Sequence, residues 1–335
     1  MLDAQDDPVG IDDIRAAAGR LDGVARTTPL LESPHLNRLA GRRVLVKAEC
    51  LQLTGSFKFR GAWSALTALP EDVRARGVIG YSSGNHAQGV AHAAELLGIP
   101  AVIVMPADAP ALKIANTKAH GAEVVLYDRQ GGESREAAGE AMAAERGLTL
   151  VRPFDEPMVI AGQGTCGLEI AAQAAAAGVT EADCVICAGG GGLAAGIALA
   201  LEADAPGLRP RPAEPAGYDD WAKSLVAGSP QPCRPSERSI CDAILTPAPG
   251  RITWPIFSRR SGSGLAVTDD EAMHAMAAAF LRLKVTLEPG GAVALAAVLS
   301  QGDEIEGDAV ICTASGGNVD PAVFTQALER HAAQV

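Results

Sequence analysis

Short apolar runs alternate with helical segments along most of this chain, and that alternation restricts its fold more than any other feature. The apolar runs are four or five residues long and rich in Val and Ile. Strands separated by helices predict mainly parallel sheets with helices on both faces. The predicted strands cover residues 44–48, 78–82, 101–105, 124–127, 184–187 and 310–313. The predicted helices cover residues 61–69, 87–97, 111–120, 134–146, 158–177, 192–203, 268–283 and 321–333.

The length of the chain and the grouping of its predicted elements indicate more than one domain. Its 335 residues exceed an ordinary single core. Residues 78–152 form a compact strand–helix series that predicts a small α/β domain inserted into a larger one. Residues 206–249 are rich in Pro, Ser and Arg with weak periodicity, and we expect them to be mostly loop.

Charge and apolar patterning exclude several classes of function. The net charge is -12 and no basic run occurs, which argues against binding to nucleic acid or an anionic membrane. The acidic N-terminus lacks an apolar segment, and no apolar run reaches the roughly 18 residues of a membrane span. We therefore expect a soluble, cytoplasmic protein.

Seven cysteines are scattered along the chain, an odd number that suits reduced thiols. Cys184 and Cys187 match the spacing of a metal-binding pair. They lie on a predicted strand, however, where residues three apart point to opposite faces. We therefore expect no shared metal between them.

Four consecutive glycines, residues 189–192, follow a predicted strand and precede a predicted helix. Their exposed N–H groups beside a helix start would cradle an anion, most often a phosphate. A tight turn without a ligand is the simpler alternative. The run Gly190 to Ala195 also fits a dinucleotide-binding fingerprint, with Glu214 about 20 residues on. These residues alone leave the kind of phosphate open.

Three further segments carry residues typical of catalytic or ligand-binding sites. Lys58 lies between Phe57 and Phe59 near a helix start, where burial and the helix dipole both lower a lysine's pKa. The sequence Ser-Ser-Gly-Asn-His at residues 82–86 suits a substrate carboxylate. Ser315 follows the last predicted strand, where α/β proteins bind ligands. The alternatives are a surface lysine, simple helix capping and a glycine-rich turn.

Together these segments resemble the fold-type II pyridoxal-phosphate (PLP) enzymes, the tryptophan synthase β-like family. The resemblance is strongest to the serine/threonine dehydratase and serine racemase branch. Its motifs occur in the family's order across nearly the whole chain. They are Thr27-Thr-Pro-Leu30, Gly55-Ser-Phe-Lys-Phe-Arg-Gly-Ala62, Ser82-Ser-Gly-Asn-His86, Ile160-Ala-Gly-Gln-Gly-Thr165, residues 189–192, Glu288-Pro289 and Ser315-Gly-Gly-Asn318.

The resemblance implies two open parallel-sheet α/β domains with PLP in the cleft between them. The large domain would comprise residues 1–55 and 153–335, and the small inserted domain residues 56–152. The implied activity is a dehydratase (ammonia-lyase) that converts a small β-hydroxy amino acid, such as L-threonine or L-serine, to a 2-oxo acid and ammonia. The alternatives are a serine racemase, a 3-hydroxyaspartate dehydratase or, more remotely, a non-catalytic or dinucleotide-binding protein. Relatives are commonly homodimers.

The resemblance also assigns roles to individual residues. Lys58 would carry PLP and remove the proton at the substrate's Cα, and Ser83 matches the second base of serine racemases. Ser315 would face the pyridine nitrogen, where a neutral group favours elimination. The implied cofactor-binding residues are Phe57, Lys58, Asn85, Gly189, Gly190, Gly191, Gly192, Leu193, Glu288 and Ser315. The implied substrate-binding residues are Ser82, Ser83, Asn85, His86 and Arg135.

Two of the implied sites also have a simpler explanation that involves no ligand. Glu214, the backbone carbonyl of Tyr218 and Asp220 resemble a divalent-cation site, and their hard oxygen ligands suit Mg²⁺ or Ca²⁺. A solvated acidic loop is the alternative. Arg135 lies in a segment resembling that of racemases and hydroxyaspartate dehydratases and would meet a second substrate carboxylate. The alternative is a surface charge on a helix.

Overall fold

The structure is a computed structural model that describes residues 7–82, 84–109, 111–128, 131–233, 235 and 238–335, without the side chains of residues 111 and 112. Its strands are β1 (Leu30–Glu32), β2 (Arg43–Lys47), β3 (Val78–Tyr81), β4 (Ala101–Pro106), β5 (Glu123–Tyr127), β6 (Thr149–Val151), β7 (Ala182–Cys187), β8 (Leu208–Pro215), β9 (Leu265–Val267) and β10 (Ala309–Thr313). Its helices are α1 (Ile11–Leu21), α2 (Pro34–Ala40), α3 (Lys58–Ala68), α4 (Glu71–Arg74), α5 (Asn85–Leu97), α6 (Ala111–Ala119), α7 (Arg135–Arg146), α8 (Pro157–Ala176), α9 (Gly192–Asp204), α10 (Asp220–Ala227), α11 (Thr253–Ser258), α12 (Asp269–Ala278), α13 (Pro289–Ser300) and α14 (Pro321–His331).

The strands form two sheets. The larger has six strands in the order β1-β2-β10-β7-β8-β9, and only β1 runs antiparallel to its neighbour. The smaller has four parallel strands in the order β5-β4-β3-β6. The predicted mainly parallel α/β fold is therefore confirmed. The exact domain boundaries stay a prediction, although the strands of the smaller sheet all lie within residues 78–151.

Both faces of the larger sheet are covered, because successive residues of its central strands enter different cores. On β7, Cys184 and Ile186 pack in the cluster with α8 and α9, whereas Val185 and Cys187 pack in the cluster with α12 and α13. The opposite orientation predicted for the two cysteines is thus confirmed. All seven cysteines are buried, free thiols.

Glycines let helices α3, α8 and α9 approach one another closely behind the larger sheet. A Cβ on Gly162 would lie 2.3 Å from the carbonyl oxygen of Arg60, and one on Gly164 would lie 2.9 Å from that of Gly196. These glycines serve helix packing, and α8 runs through them unbroken.

A buried ionic network ties β2, α3 and α8 together. The guanidinium of Arg60 contacts both oxygens of Glu49 at 2.7 and 2.8 Å and Glu169 at 2.7 Å. Lys47 lies 2.5 Å from the same Glu169. Arg60 and Glu49 are essentially without solvent exposure. Because Arg60 follows Lys58 by two residues, this network fixes the first turn of α3.

The prediction that residues 206–249 are mostly loop holds for the larger part of the described residues in this segment, but it missed two elements. These are strand β8, most of which is buried, and helix α10. Prolines 210 and 212 obscured the strand, because a proline cannot donate to a sheet. β9 pairs only with the last three residues of β8, so the edge beside those prolines needs no donor there.

Helix α13 was also missed from the sequence. It is apolar on every side, and ten of its twelve residues are buried. A helix buried all round shows no amphipathic period to detect. Within the described residues, no helix combines the length and apolarity needed to cross a membrane.

Candidate active site

A cavity lies where the two sheets present the carboxyl ends of their parallel strands. The loops after β3, β6, β7 and β10 all contribute to its lining, which is where open α/β sheets bind ligands. The lining includes the predicted residues Phe57, Lys58, Ser82, Asn85, His86, Arg135, Gly189, Gly190, Gly191, Gly192, Leu193, Glu288 and Ser315. Ser83 lies outside the described residues.

Lys58 is the first residue of α3 and projects into this cavity. Its ammonium donates a hydrogen bond to the carbonyl of Pro153 at 2.8 Å and lies 5.0 Å from the ring centre of Phe57. Burial lowers the pKa of this lysine to about 8, and the positive charge of Arg135 adds to the effect. A large fraction of Lys58 is therefore a neutral amine, and hence a nucleophile or base, near pH 8.

Backbone pairing holds the Lys58 segment against the Ser315 loop. The N–H of Phe57 donates to the carbonyl of Ser315 at 3.2 Å, and that of Gly317 donates to Gly55 at 2.9 Å. Ser56 and Gly316 form an isolated antiparallel bridge. Residues far apart in sequence are therefore joined through their main chains, which fixes Lys58 relative to Ser315.

The glycine loop is held by hydrogen bonds to its carbonyl oxygens. The indole of Trp221 donates to Gly189 at 2.6 Å, and the hydroxyl of Thr253 donates to Gly190 at 2.6 Å. Gly191 has φ +90°, and a Cβ there would lie 2.2 Å from the Trp221 ring. The first N–H groups of α9, which begins at Gly192, have no acceptor within the helix. They remain available to an anion in the cavity.

Two amides and a carboxyl form a hydrogen-bonded chain that includes two residues of the cavity lining. The Asn85 amide donates to Oε1 of Glu288 at 2.5 Å, and Asn318 donates to Oδ1 of Asn85 at 2.7 Å. Burial raises the pKa of Glu288 to about 7, although the Asn85 bond opposes the shift. Glu288 therefore exchanges its proton near neutral pH.

His86 is buried beside β6, with Nε2 3.0 Å from the carbonyl of Val151. Because a carbonyl only accepts, Nε2 carries the proton. Burial and the charge of Lys58 lower the pKa of His86 to about 3, so the ring is neutral. A neutral ring offers a substrate carboxylate no positive charge.

Ser315 lines the cavity beside the thiol of Cys187. Burial raises the pKa of that thiol, so it stays protonated. The Ser315 hydroxyl and the Cys187 thiol are therefore both uncharged at neutral pH.

The sequence did not single out several residues that line the cavity. The most informative are Lys113, whose ammonium lies 3.1 Å from the Asp242 carboxylate, and Tyr81, whose ring lies 5.8 Å from the Arg135 guanidinium. Phe154 also lines the cavity, three residues after the end of β6, a strand that the sequence did not predict. Nothing in the local pattern connected residues 113 and 242, which are far apart in sequence.

Arg135 begins α7, and its Nε donates to the adjacent Glu136 at 2.7 Å. Glu214, Tyr218 and Asp220 lie apart from the cavity, at the end of β8 and the start of α10. Glu214 accepts hydrogen bonds from the N–H groups of Trp221 and Ala222, each at 2.9 Å. Oδ2 of Asp220 is buried and has no hydrogen-bond partner among the described residues.

The cavity fits PLP on observations of this structure. A reactive amine, a loop of helix-start N–H groups and two uncharged side chains line one space. Nδ1 of His86 and Oγ1 of Thr246, both in the lining, are buried without a hydrogen-bond partner among the described residues. Unsatisfied polar groups of this kind indicate a missing ligand or water.

Comparison with known proteins identifies the family. The family described as "Pyridoxal-phosphate dependent enzyme" matches residues 21–316. The L-threo-3-hydroxyaspartate ammonia-lyase of Pseudomonas sp is 40% identical, over 95% of this chain and 98% of its own. The serine racemase of Oryza sativa subsp. indica is 40% identical, over 95% and 93%.

The solved structure of a threonine deaminase from T.th. is 43% identical to this chain. It superposes with a TM-score of 0.86 over 93% of this chain and 99% of its own. The fold is thus that of fold-type II PLP enzymes. The chain belongs to the family of pyridoxal-phosphate dependent enzymes, within its group of amino-acid ammonia-lyases and racemases.

Proposed function

We propose that this protein is a PLP-dependent ammonia-lyase that removes water from a small β-hydroxy amino acid such as L-threonine or L-serine. The observation that carries this proposal is that Lys58 lines the same cavity as the Ser315 hydroxyl and the Cys187 thiol, which are both uncharged. A neutral partner at the cofactor's ring nitrogen leaves that nitrogen weakly polarised, which favours prompt loss of the β-hydroxyl. When bound, PLP supplies the electron withdrawal that makes the substrate's Cα proton removable.

Lys58 would carry the cofactor and act as the base. Its lowered pKa keeps a usable fraction of neutral Nζ, which can accept the Cα proton. Residues 189–192 and Leu193 would bind the phosphate through N–H groups at the start of α9. Phe57 would pack beside the ring, and Asn85 and Glu288 would contact its polar edge.

The α-carboxylate of the substrate would bind at the start of α5, near Ser82 and Asn85. The free N–H groups of this helix start attract an anion. Neutral His86 would fix the shape of this subsite without adding charge. Ser83 completes the motif, and its role as a second base belongs to the racemase alternative.

A dicarboxylic substrate such as 3-hydroxyaspartate is the second candidate, favoured by the position of Arg135. Its guanidinium lines the cavity, and so does Lys113. Two cations beyond Lys58 would suit a substrate with a second carboxylate. The relative from Pseudomonas sp is named for this substrate class.

The test measures 2-oxo acid release from L-serine, L-threonine and L-threo-3-hydroxyaspartate, together with D-serine formation. Lys58→Ala should abolish every activity and the visible absorbance of bound PLP. Arg135→Gln should lower kcat/KM for the dicarboxylate at least about tenfold more than for L-threonine, for which only the change in the Lys58 pKa should matter. Arg146→Gln, at the exposed end of the same helix, is the matched control. Faster formation of D-serine than of any 2-oxo acid would contradict the lyase proposal.

We also propose a divalent cation, Mg²⁺ or Ca²⁺, at Glu214, the Tyr218 carbonyl and Asp220. The buried, unpartnered Oδ2 of Asp220 supports it, since a buried carboxylate oxygen requires a partner. A cation there would lie behind the glycine loop, because Trp221 of α10 bonds Gly189. Mg²⁺ should raise the melting temperature of EDTA-treated wild type but not of Asp220→Asn.

A further inference from the structure

Two imidazoles and one carboxylate form a cluster on the outer side of the smaller sheet's helices. His92 and Glu95 lie three residues apart on α5, so both side chains project from one face of that helix. His120 follows the last residue of α6. None of the three belongs to the cavity described above.

The three side chains converge on one point. Nδ1 of His92 lies 2.9 Å, and Nδ1 of His120 lies 2.8 Å, from the same Oε2 of Glu95. One ligand atom from each residue lies within 4.8 Å of the other two. A tetrahedral ion with bonds of about 2.0–2.2 Å holds its ligand atoms roughly 3.3 Å apart. Glu95, with a side chain 45% exposed, has the freedom to retract by the small difference.

The rings are already oriented for this geometry. The His92 ring lies between the Phe59 ring, at 5.6 Å, and the His120 ring, at 4.6 Å. Both histidines are partly exposed, at 20% and 27%.

The charge of the cluster suits a cation. Glu95 contributes a carboxylate oxygen, and Nδ1 of both imidazoles faces that oxygen. Two imidazoles with one carboxylate form the donor set typical of Zn²⁺ sites with an open fourth position. Mg²⁺ and Ca²⁺ prefer sites built entirely of oxygen.

We propose that His92, Glu95 and His120 form a Zn²⁺ site that links α5 to the end of α6, with water as the fourth ligand. The link matters for the cavity, since α5 starts at Asn85 and α6 carries Lys113, which both line it. A bound ion would hold α5 and α6, which form one wall of the cavity, at a point remote from Lys58.

The experiment uses the PLP-loaded enzyme, stripped of metals with EDTA and desalted. Calorimetric titration with ZnCl₂ at about pH 7.5 should show one high-affinity ion per chain. Loss of an outer-shell partner alone weakens metal binding about 10–100-fold. His92→Gln and His120→Gln should therefore each weaken binding at least about a hundredfold. His35→Gln, which removes an exposed histidine beside Arg38, is the matched control and should bind Zn²⁺ as the wild type does.

Two further readouts distinguish this three-residue site from zinc bound elsewhere on the protein. Zn²⁺ should raise the melting temperature of the wild type and of His35→Gln but not of His92→Gln, whose metal-free melt should match the wild type. Lowering the pH to about 5.5 should weaken binding, because protons compete with the ion for its ligand atoms. Wild type that binds no Zn²⁺ would overturn the proposal. Tight binding that survives both histidine substitutions, or that Asp220→Asn removes, would overturn it as well.

Discussion

Asn85 donates a hydrogen bond to Glu288 at 2.5 Å, joining the start of α5, which packs on the smaller sheet, to the start of α13, which packs on the larger one. Both residues line the cavity, so the protonation of one buried carboxyl is coupled to the contact between these two helix starts.

The first prediction concerns the pH dependence of stability at Glu288. Burial raises its pKa from 4.5 to about 7. A raised pKa means that the folded state binds the proton more tightly, so this stabilisation is full below about pH 4.5 and is lost as the pH rises through about 7. Glu288→Gln stays neutral throughout. Its melting temperature relative to wild type should therefore be higher at about pH 8 than at about pH 5. Glu123→Gln is the exposed control, and a pH-independent difference for Glu288→Gln would refute the prediction.

The second prediction concerns the Lys58 amine. Covalent capture of PLP requires the neutral amine, so its rate in the apoenzyme should rise with pH around a midpoint near 8. Arg135 is the second cause that lowers this pKa, after burial. Arg135→Gln should therefore move the midpoint upwards, and Arg146→Gln should leave it in place. Stopped-flow absorbance of PLP binding across pH checks this. A wild-type midpoint near 10.5 would show that Lys58 is an ordinary solvated lysine.

The third prediction compares two glycines that both have positive φ. Gly178 has φ +72° with open space around it, so Gly178→Ala should cost only the backbone strain, about 1–2 kcal/mol. Gly191 has φ +90°, and an added Cβ would lie 2.2 Å from Trp221. Gly191→Ala should add overpacking and cost at least about 3 kcal/mol in total. Urea unfolding gives both values, and PLP affinity should fall only for Gly191→Ala. Equal costs would mean that the Trp221 contact relaxes freely.

The fourth prediction concerns the Arg60 network. Removal of one partner of a buried ion pair leaves an uncompensated charge and costs about 3–5 kcal/mol. Glu49→Gln should destabilise the protein by that amount in urea unfolding. Glu123→Gln breaks the exposed pair with Arg146 and should cost less than about 1 kcal/mol. Similar losses for the two variants would contradict the burial argument.

The sequence alone predicted those strands and helices whose own residues show a clear apolar pattern. The strand before residues 189–192, the helix after them and the strand before Ser82 each carry their own signal, so the cavity's main loops could be placed. Strand β8 was not predicted because its prolines argue against a strand. They are tolerated because β9 pairs with only part of β8, and that pairing depends on the tertiary structure. Helix α13 was hidden because complete burial removes periodicity.

The contacts between distant residues could not be read from pattern in the same way. Three groups of side chains join separate elements of the fold. They are the pair Lys113 and Asp242, the pair Cys187 and Ser315, and the cluster of His92, Glu95 and His120. None of these side chains shows a functional pattern in its local sequence, and the role of each depends on the neighbour that the fold places beside it. Resemblance to a family supplied roles for Lys58 and Ser315, but it had nothing to offer about Lys113 or His120.

The two walls of the cavity come from different sheets. Lys58, the glycine loop and Ser315 are tied to the six-stranded sheet by backbone bonds and by the Arg60 network, whereas Ser82, His86 and Arg135 belong to elements of the four-stranded sheet. On the proposed function, mutations in the loops of the smaller sheet would change which amino acid is accepted and leave the attachment of the cofactor to Lys58 intact. Substrate preference would then diverge without loss of cofactor binding, and proteins similar to this chain are named for serine, threonine and 3-hydroxyaspartate.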